Sequence, residues 1–137
     1  MGLLDSLKKS FAKQTTPGMA PGSAGPKPGP EEIKVSEVTA MELMAEMRNG
    51  SAPLVLDCRE NYERRQGYIP GSMHIVMREI PYRLSEVDRS ADIVVVCAHG
   101  NRSYGVAGYL IENGFRARSL KGGTVGWKAQ GGEIARL

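Results

Sequence analysis

Apolar and polar positions divide the chain into three parts. In residues 1–14, Leu3, Leu4, Leu7 and Phe11 share one face of a helical wheel, with Lys8, Lys9 and Lys13 outside that stripe. This is the pattern of a short amphipathic helix. Residues 15–30 lose the periodicity: Pro, Gly, Ser and Ala dominate, and four of the eight prolines lie between Pro21 and Pro30. Such a run cannot bury apolar surface and reads as a flexible linker. From residue 31 to residue 137 the pattern becomes globular.

Within that domain, residues 33–38 predict a first strand. Thr39, with Glu42 three residues on, predicts a capped helix start. Met41, Met44, Ala45 and Met47 are assigned to the inward face of that helix, and Asn49-Gly50 stops it. Leu54-Val55-Leu56 predicts a brief strand ending at Asp57, residues 73–76 another, and residues 80–84 a short helix. Ile93-Val94-Val95-Val96 is apolar and β-branched at every position, as expected of a central parallel strand covered on both faces. Residues 103–113 predict a helix with Val106, Tyr109 and Leu110 inward, residues 117–120 a last strand, and Gly122-Gly123 a turn into a final short helix near Trp127. Strands alternating with helices predict an open α/β sheet.

Composition narrows the function. A formal charge of +3 and an isoelectric point near 9.0 favour anionic small molecules or surfaces modestly. Aromatic residues are only 6%, with no aromatic–basic interleaving, so no nucleic-acid partner is expected. No run is long and apolar enough to span a bilayer, and residues 1–11 lack a signal-peptide pattern. Two cysteines, Cys58 and Cys97, do not form a disulfide framework. A reducing, cytoplasmic setting is therefore expected, where a thiol serves as a chemical tool.

The candidate chemistry sits where the central strand ends. Cys97 is followed by Ala98, His99, Gly100, Asn101, Arg102 and Ser103, and then by the predicted helix. Ligands bind at the carboxyl ends of strands in open α/β sheets. A short loop over a helix N-terminus aims backbone N–H groups inward and, with the helix dipole, forms an anion cradle. A cysteine there forms its thiolate more readily. Gly100 gives the loop a conformation closed to other residues, and Arg102 supplies a planar fork of donors for oxyanions. The plain alternative is a buried strand-end cysteine in an ordinary connection.

The run Cys97-Ala98-His99-Gly100-Asn101-Arg102-Ser103 resembles the active-site loop of rhodanese domains, Cys-x-x-Gly-x-Arg-Ser. Three further stretches resemble that family in the same order: Leu56-Asp57-Cys58-Arg59-Glu60; Gly67-Tyr68-Ile69-Pro70-Gly71, with Tyr68 where the family usually has His; and Leu120-Lys121-Gly122-Gly123 followed by Trp127. The resemblance spans roughly residues 35–132. It implies a five-stranded parallel sheet with helices on both faces. It also implies a sulfurtransferase in which Cys97 takes sulfane sulfur from thiosulfate or a similar anionic donor as a persulfide. A thiophilic small molecule or a sulfur-acceptor protein then removes it. The residues 98–103 would bind substrate, and no cofactor is implied. Two alternatives stand beside this. One is a non-catalytic rhodanese-like interaction module, although such modules usually lack the cysteine. The other is a phosphatase of the same fold, whose loop carries five residues between Cys and Arg where this chain has four.

Asp57 is expected to support the loop by accepting its backbone N–H groups, with Arg59 beside it; Arg59 and Glu60 are expected to form structural ion pairs. His74 and Trp127 read as structural residues, Cys58 as interior filling more than a resolving thiol, and His99 as either a substrate contact or a solvent-facing residue. The histidines and cysteines lack zinc spacing, so no metal is expected. For residues 1–14 three readings stand: contact with a membrane surface, docking on a protein, or a disordered leader.

Overall fold

The computed structural model describes residues 33–137, so the expectations for residues 1–14 and 15–30 lie outside the described residues. Five strands form one sheet: β1 (Ser36–Val38), β2 (Leu54–Asp57), β3 (Met73–His74), β4 (Asp92–Val96) and β5 (Arg116–Leu120). Their order is β1-β5-β4-β2-β3, and every neighbouring pair is parallel. The helices are α1 (Ala40–Arg48), α2 (Asn61–Arg65), α3 (Asn101–Glu112) and α4 (Gly123–Ala129), with 3₁₀ turns at Met77–Tyr82 and Leu84–Glu86. This is the predicted open α/β sheet, five-stranded and parallel.

β4 lies at the centre because it is apolar on both faces. Ile93 and Val95 pack with Val106 and Leu110 of α3 on one side. Val94 and Val96 pack with Leu43 of α1 and Trp127 of α4 on the other. Each fully buried side chain of this size contributes roughly 1.5–3 kcal/mol, so β4 anchors both layers at once. Cys97 continues the alternation onto the α3 side, packed in the same cluster as Val95.

The structure corrects several boundaries. The inward face of α1 is Ala40, Leu43, Met44 and Met47, the i, i+3, i+4, i+7 set of a helix; Met41, one step round the wheel from Ala40, is 57% exposed. The capping box is formed: the Glu42 N–H donates to Thr39 Oγ1, and the Thr39 N–H donates to the Glu42 carboxylate. The first strand is narrower than 33–38, and β3 is two residues long. Past β3 the backbone still follows its neighbour, the Ile75 N–H donating to the Asp57 carbonyl. α3 starts at Asn101 rather than residue 103, because Gly100 at φ 103° turns the chain directly into it. Among the described residues no helix is long and apolar enough to cross a membrane.

Candidate active site

Cys97 is 1% exposed at the carboxyl end of β4. The Gly100 N–H donates to its Sγ at 3.1 Å and the Ser103 N–H at 3.3 Å. The Ser103 hydroxyl lies 3.4 Å from the same sulfur. Gly100 is buried, and a Cβ there would press on the Gly122 nitrogen and the Leu120 carbonyl, each at 3.3 Å. The loop thus curls around one atom at the start of a twelve-residue helix, with two backbone amides donating to the sulfur.

The start of α4 clamps the loop from behind. The Thr124 N–H donates to the Cys97 carbonyl at 2.8 Å, and the Val125 N–H to the Ala98 carbonyl at 3.1 Å. Gly123, at φ 60°, lies against these two carbonyls so closely that any Cβ would strike them. An open cleft of about 160 Å³ adjoins the loop, lined by Arg59, Glu63, Gly67, Ala98, Thr124 and Lys128 among others.

The proposed substrate-binding residues divide. Gly100 and Ser103 contact Sγ, and Ala98 lines the cleft. His99 and Asn101 are exposed on the loop. Arg102 does not stand as a free fork: its two terminal nitrogens donate to the two oxygens of Glu63, each at 2.8 Å. Glu63, on α2, was not identified from the sequence. Hydrogen bonding from Arg102 is the main reason its carboxyl is lowered to about 2, so the pair remains ionised throughout the neutral range. The available signal was the spacing from Glu60 to Glu63, which the structure closes as a capping box at the start of α2.

Asp57 is also corrected. Its buried carboxylate accepts from the Arg59 backbone N–H, from Arg59 Nε and Nη2, and from Arg64 Nη1, rather than from the loop 98–103. A carboxylate buried in an apolar setting is stabilised best by charge-assisted donors, and two guanidiniums supply them. Arg59 also donates to the Gly67 carbonyl at 2.7 Å, and Arg64 stacks over the Tyr68 ring at 4.0 Å. Arg59, held by Asp57, lines the cleft that adjoins the loop, and Glu60 pairs with Arg78 on the surface. A His74 ring nitrogen meets the Arg59 carbonyl, and Trp127 Nε1 donates to the Glu133 carbonyl with its ring against Gly132.

Cys58 is fully buried on the Cys97 face of the sheet, and burial pushes its thiol well above the ordinary range. Ser103 Oγ lies 2.7 Å from Ser119 Oγ of β5; Ser119 was likewise not singled out from sequence. Among the described residues, no three His, Cys, Asp or Glu side chains gather as metal ligands.

A family model described as Rhodanese-like domain matches residues 39–130. The chain is 34% identical over 98 residues to a protein of Allochromatium vinosum named sulfurtransferase, covering 71% of this chain and 92% of that one. It is 36% identical over 91 residues to a protein of Pseudomonas aeruginosa named thiosulfate sulfurtransferase GlpE, covering 66% and 82%. A crystal structure of a rhodanese-like domain protein from Staphylococcus aureus superposes with a TM-score of 0.69 at 31% identity, covering 75% of this chain and 99% of that one.

Proposed function

The chain belongs to the rhodanese-like domain family and is a rhodanese-type sulfurtransferase, and we propose that it draws sulfane sulfur from thiosulfate and carries it as a persulfide on Cys97. The observation that carries this reading is the pair of amide donors, Gly100 and Ser103, converging on Cys97 Sγ at the start of α3. They stabilise a thiolate before reaction and after each turnover.

The Cys97 thiolate attacks the outer sulfur of thiosulfate. The S–S bond of the donor breaks and sulfite leaves with its electron pair. The transferred sulfur is then the anionic end of Cys97–S–S⁻. A thiophile attacks that outer sulfur, the new S–S bond breaks, and the Cys97 thiolate returns. With cyanide as acceptor the product is thiocyanate. Two free cysteines suit a reducing, cytoplasmic setting. A relative named for thiosulfate supports the choice of donor.

Purified protein is assayed for thiocyanate from thiosulfate and cyanide. Cys97→Ser is expected to abolish turnover while Cys58→Ser retains it. Wild-type turnover in Cys97→Ser would overturn the mechanism.

A further inference from the structure

Ser119 is a buried hydroxyl in the middle of a sheet. It is 0% exposed on β5, opposite Val95 in register and two residues from Ala117, which belongs to the core on the α3 side. An alanine or valine would fill such a position without the cost of burying a polar group. Its hydroxyl meets Ser103 Oγ at 2.7 Å, and Ser103, also 0% exposed, is the residue whose amide and hydroxyl both approach Cys97 Sγ. Three side chains from β4, α3 and β5 therefore form a buried line: Cys97, Ser103, Ser119.

We propose that Ser119 is a positioning residue that turns the Ser103 hydroxyl onto the Cys97 thiolate. Donor counting sets the direction of this line. A thiolate only accepts, so it recruits the Ser103 proton; Ser103 Oγ then has lone pairs to offer and no proton left. Ser119 supplies the matching proton, and the line runs Ser119 to Ser103 to sulfur. When sulfur is protonated, its S–H donates to Ser103 and the direction reverses. Hydroxyls in such a chain polarise one another, so the thiolate gains more than Ser103 alone provides.

The other ionisable groups at this end of the sheet include Arg102, held by Glu63, the Asp57–Arg59–Arg64 cluster, the buried Cys58 thiol, His74 on the Arg59 carbonyl, the exposed loop residue His99 and Lys128 of α4 beside the cleft. Ser119 is hydrogen-bonded to Ser103, not to any of them.

The inference rests on Cys97 as the reactive thiol. Its test reads that thiol directly, independent of whether thiosulfate is the donor. Full-length protein is alkylated with iodoacetamide across pH, and the label at Cys97 is quantified by peptide mass spectrometry. For Ser119→Ala, the pH of half-maximal alkylation is expected to rise by about 0.5–1 unit, the equivalent of one ordinary hydrogen bond to the thiolate. Ser103→Ala should raise it at least as much, and Ser103→Ala/Ser119→Ala should match Ser103→Ala alone. Melting curves of the variants establish that they are folded. A Ser119→Ala profile that overlies wild type would overturn the proposal. So would a Ser119→Ala effect that persists undiminished in the Ser103→Ala background, because it would show an action independent of the hydroxyl line.

Discussion

At the scale of the residue, Arg102 is tied to Glu63, which lines the cleft together with the cations Arg59 and Lys128. Both guanidinium ends are engaged by one carboxylate, so the Glu63 charge is compensated where it lines the cleft. Removing Arg102 does two things: it withdraws a cation, and it exposes Glu63, which lines the cleft, as an unpaired anion facing an anionic donor. Arg102→Ala is therefore expected to raise the thiosulfate KM about tenfold or more, with much less effect on cyanide reacting with preloaded persulfide. Adding Glu63→Gln should recover part of the loss, because the uncovered carboxylate is gone. Equal damage to both half-reactions, with no recovery, would point to loop folding instead. The pair also carries a pH signature. Glu63 is lowered from 4.5 to about 2, so its stabilisation is complete above the ordinary carboxylate value and fades as pH falls from about 4.5 toward 2. The stability gap between wild type and Glu63→Gln should close across that acid window in denaturant titrations.

At the scale of the element, the site is a helix start, α3, locked from behind by another helix start, α4. The lock depends on Gly123. Its positive φ and its contact with the Cys97 and Ala98 carbonyls leave no room for a side chain. Gly123→Ala must push α4 away from the loop and adopt a backbone conformation unfavourable to L residues, a strain of about 1–3 kcal/mol before the clash. It should lower the melting midpoint and reduce turnover together. An unchanged midpoint and full turnover would refute this account of the clamp. The parts of this arrangement that rest on local pattern were legible in sequence: the β-branched run of β4, the capping pair Thr39 and Glu42, and the glycine before α3. The parts that rest on distant contacts were not. Met41 looked inward because it is apolar, but the wheel fixed by Ala40 and Leu43 turns it out. Asp57 looked like a partner of the loop because its strand lies beside β4, yet the two arginines nearest in sequence claim its carboxylate. Glu63 lies 39 residues from Arg102, and Ser119 lies 16 from Ser103; no local periodicity records either meeting.

At the scale of the whole molecule, the described residues, 33–137, contain all five strands of the sheet and a packed layer on each of its faces. Val35 and Val38 are buried in the two layers, with Ile33 packed against one of them, and the family match begins at residue 39. The loop at 97–103, its clamp and the residues lining the cleft all lie between Asp57 and Ile134. Removing residues 1–30 leaves in place every described side chain of this core and site. Turnover of the shortened protein is expected within about a factor of two of full length, the scatter of a change that removes none of the described buried groups. The sequence of the removed segment makes a separate prediction. Leu3, Leu4, Leu7 and Phe11 on one helical face, with Lys8, Lys9 and Lys13 beside them, suit a membrane interface carrying anionic lipid. Burying each apolar side chain is worth roughly 1.5–3 kcal/mol before ordering costs, and the lysine contribution weakens with salt. Full-length protein should co-sediment with vesicles containing phosphatidylserine, less so at high salt, and the shortened protein should remain in the supernatant. If both proteins stay in the supernatant, or both sediment equally, the stripe does not hold the enzyme to lipid. If the shortened protein loses turnover instead, residues 1–30 belong to the catalytic domain, and the domain boundary drawn at residue 31 is wrong.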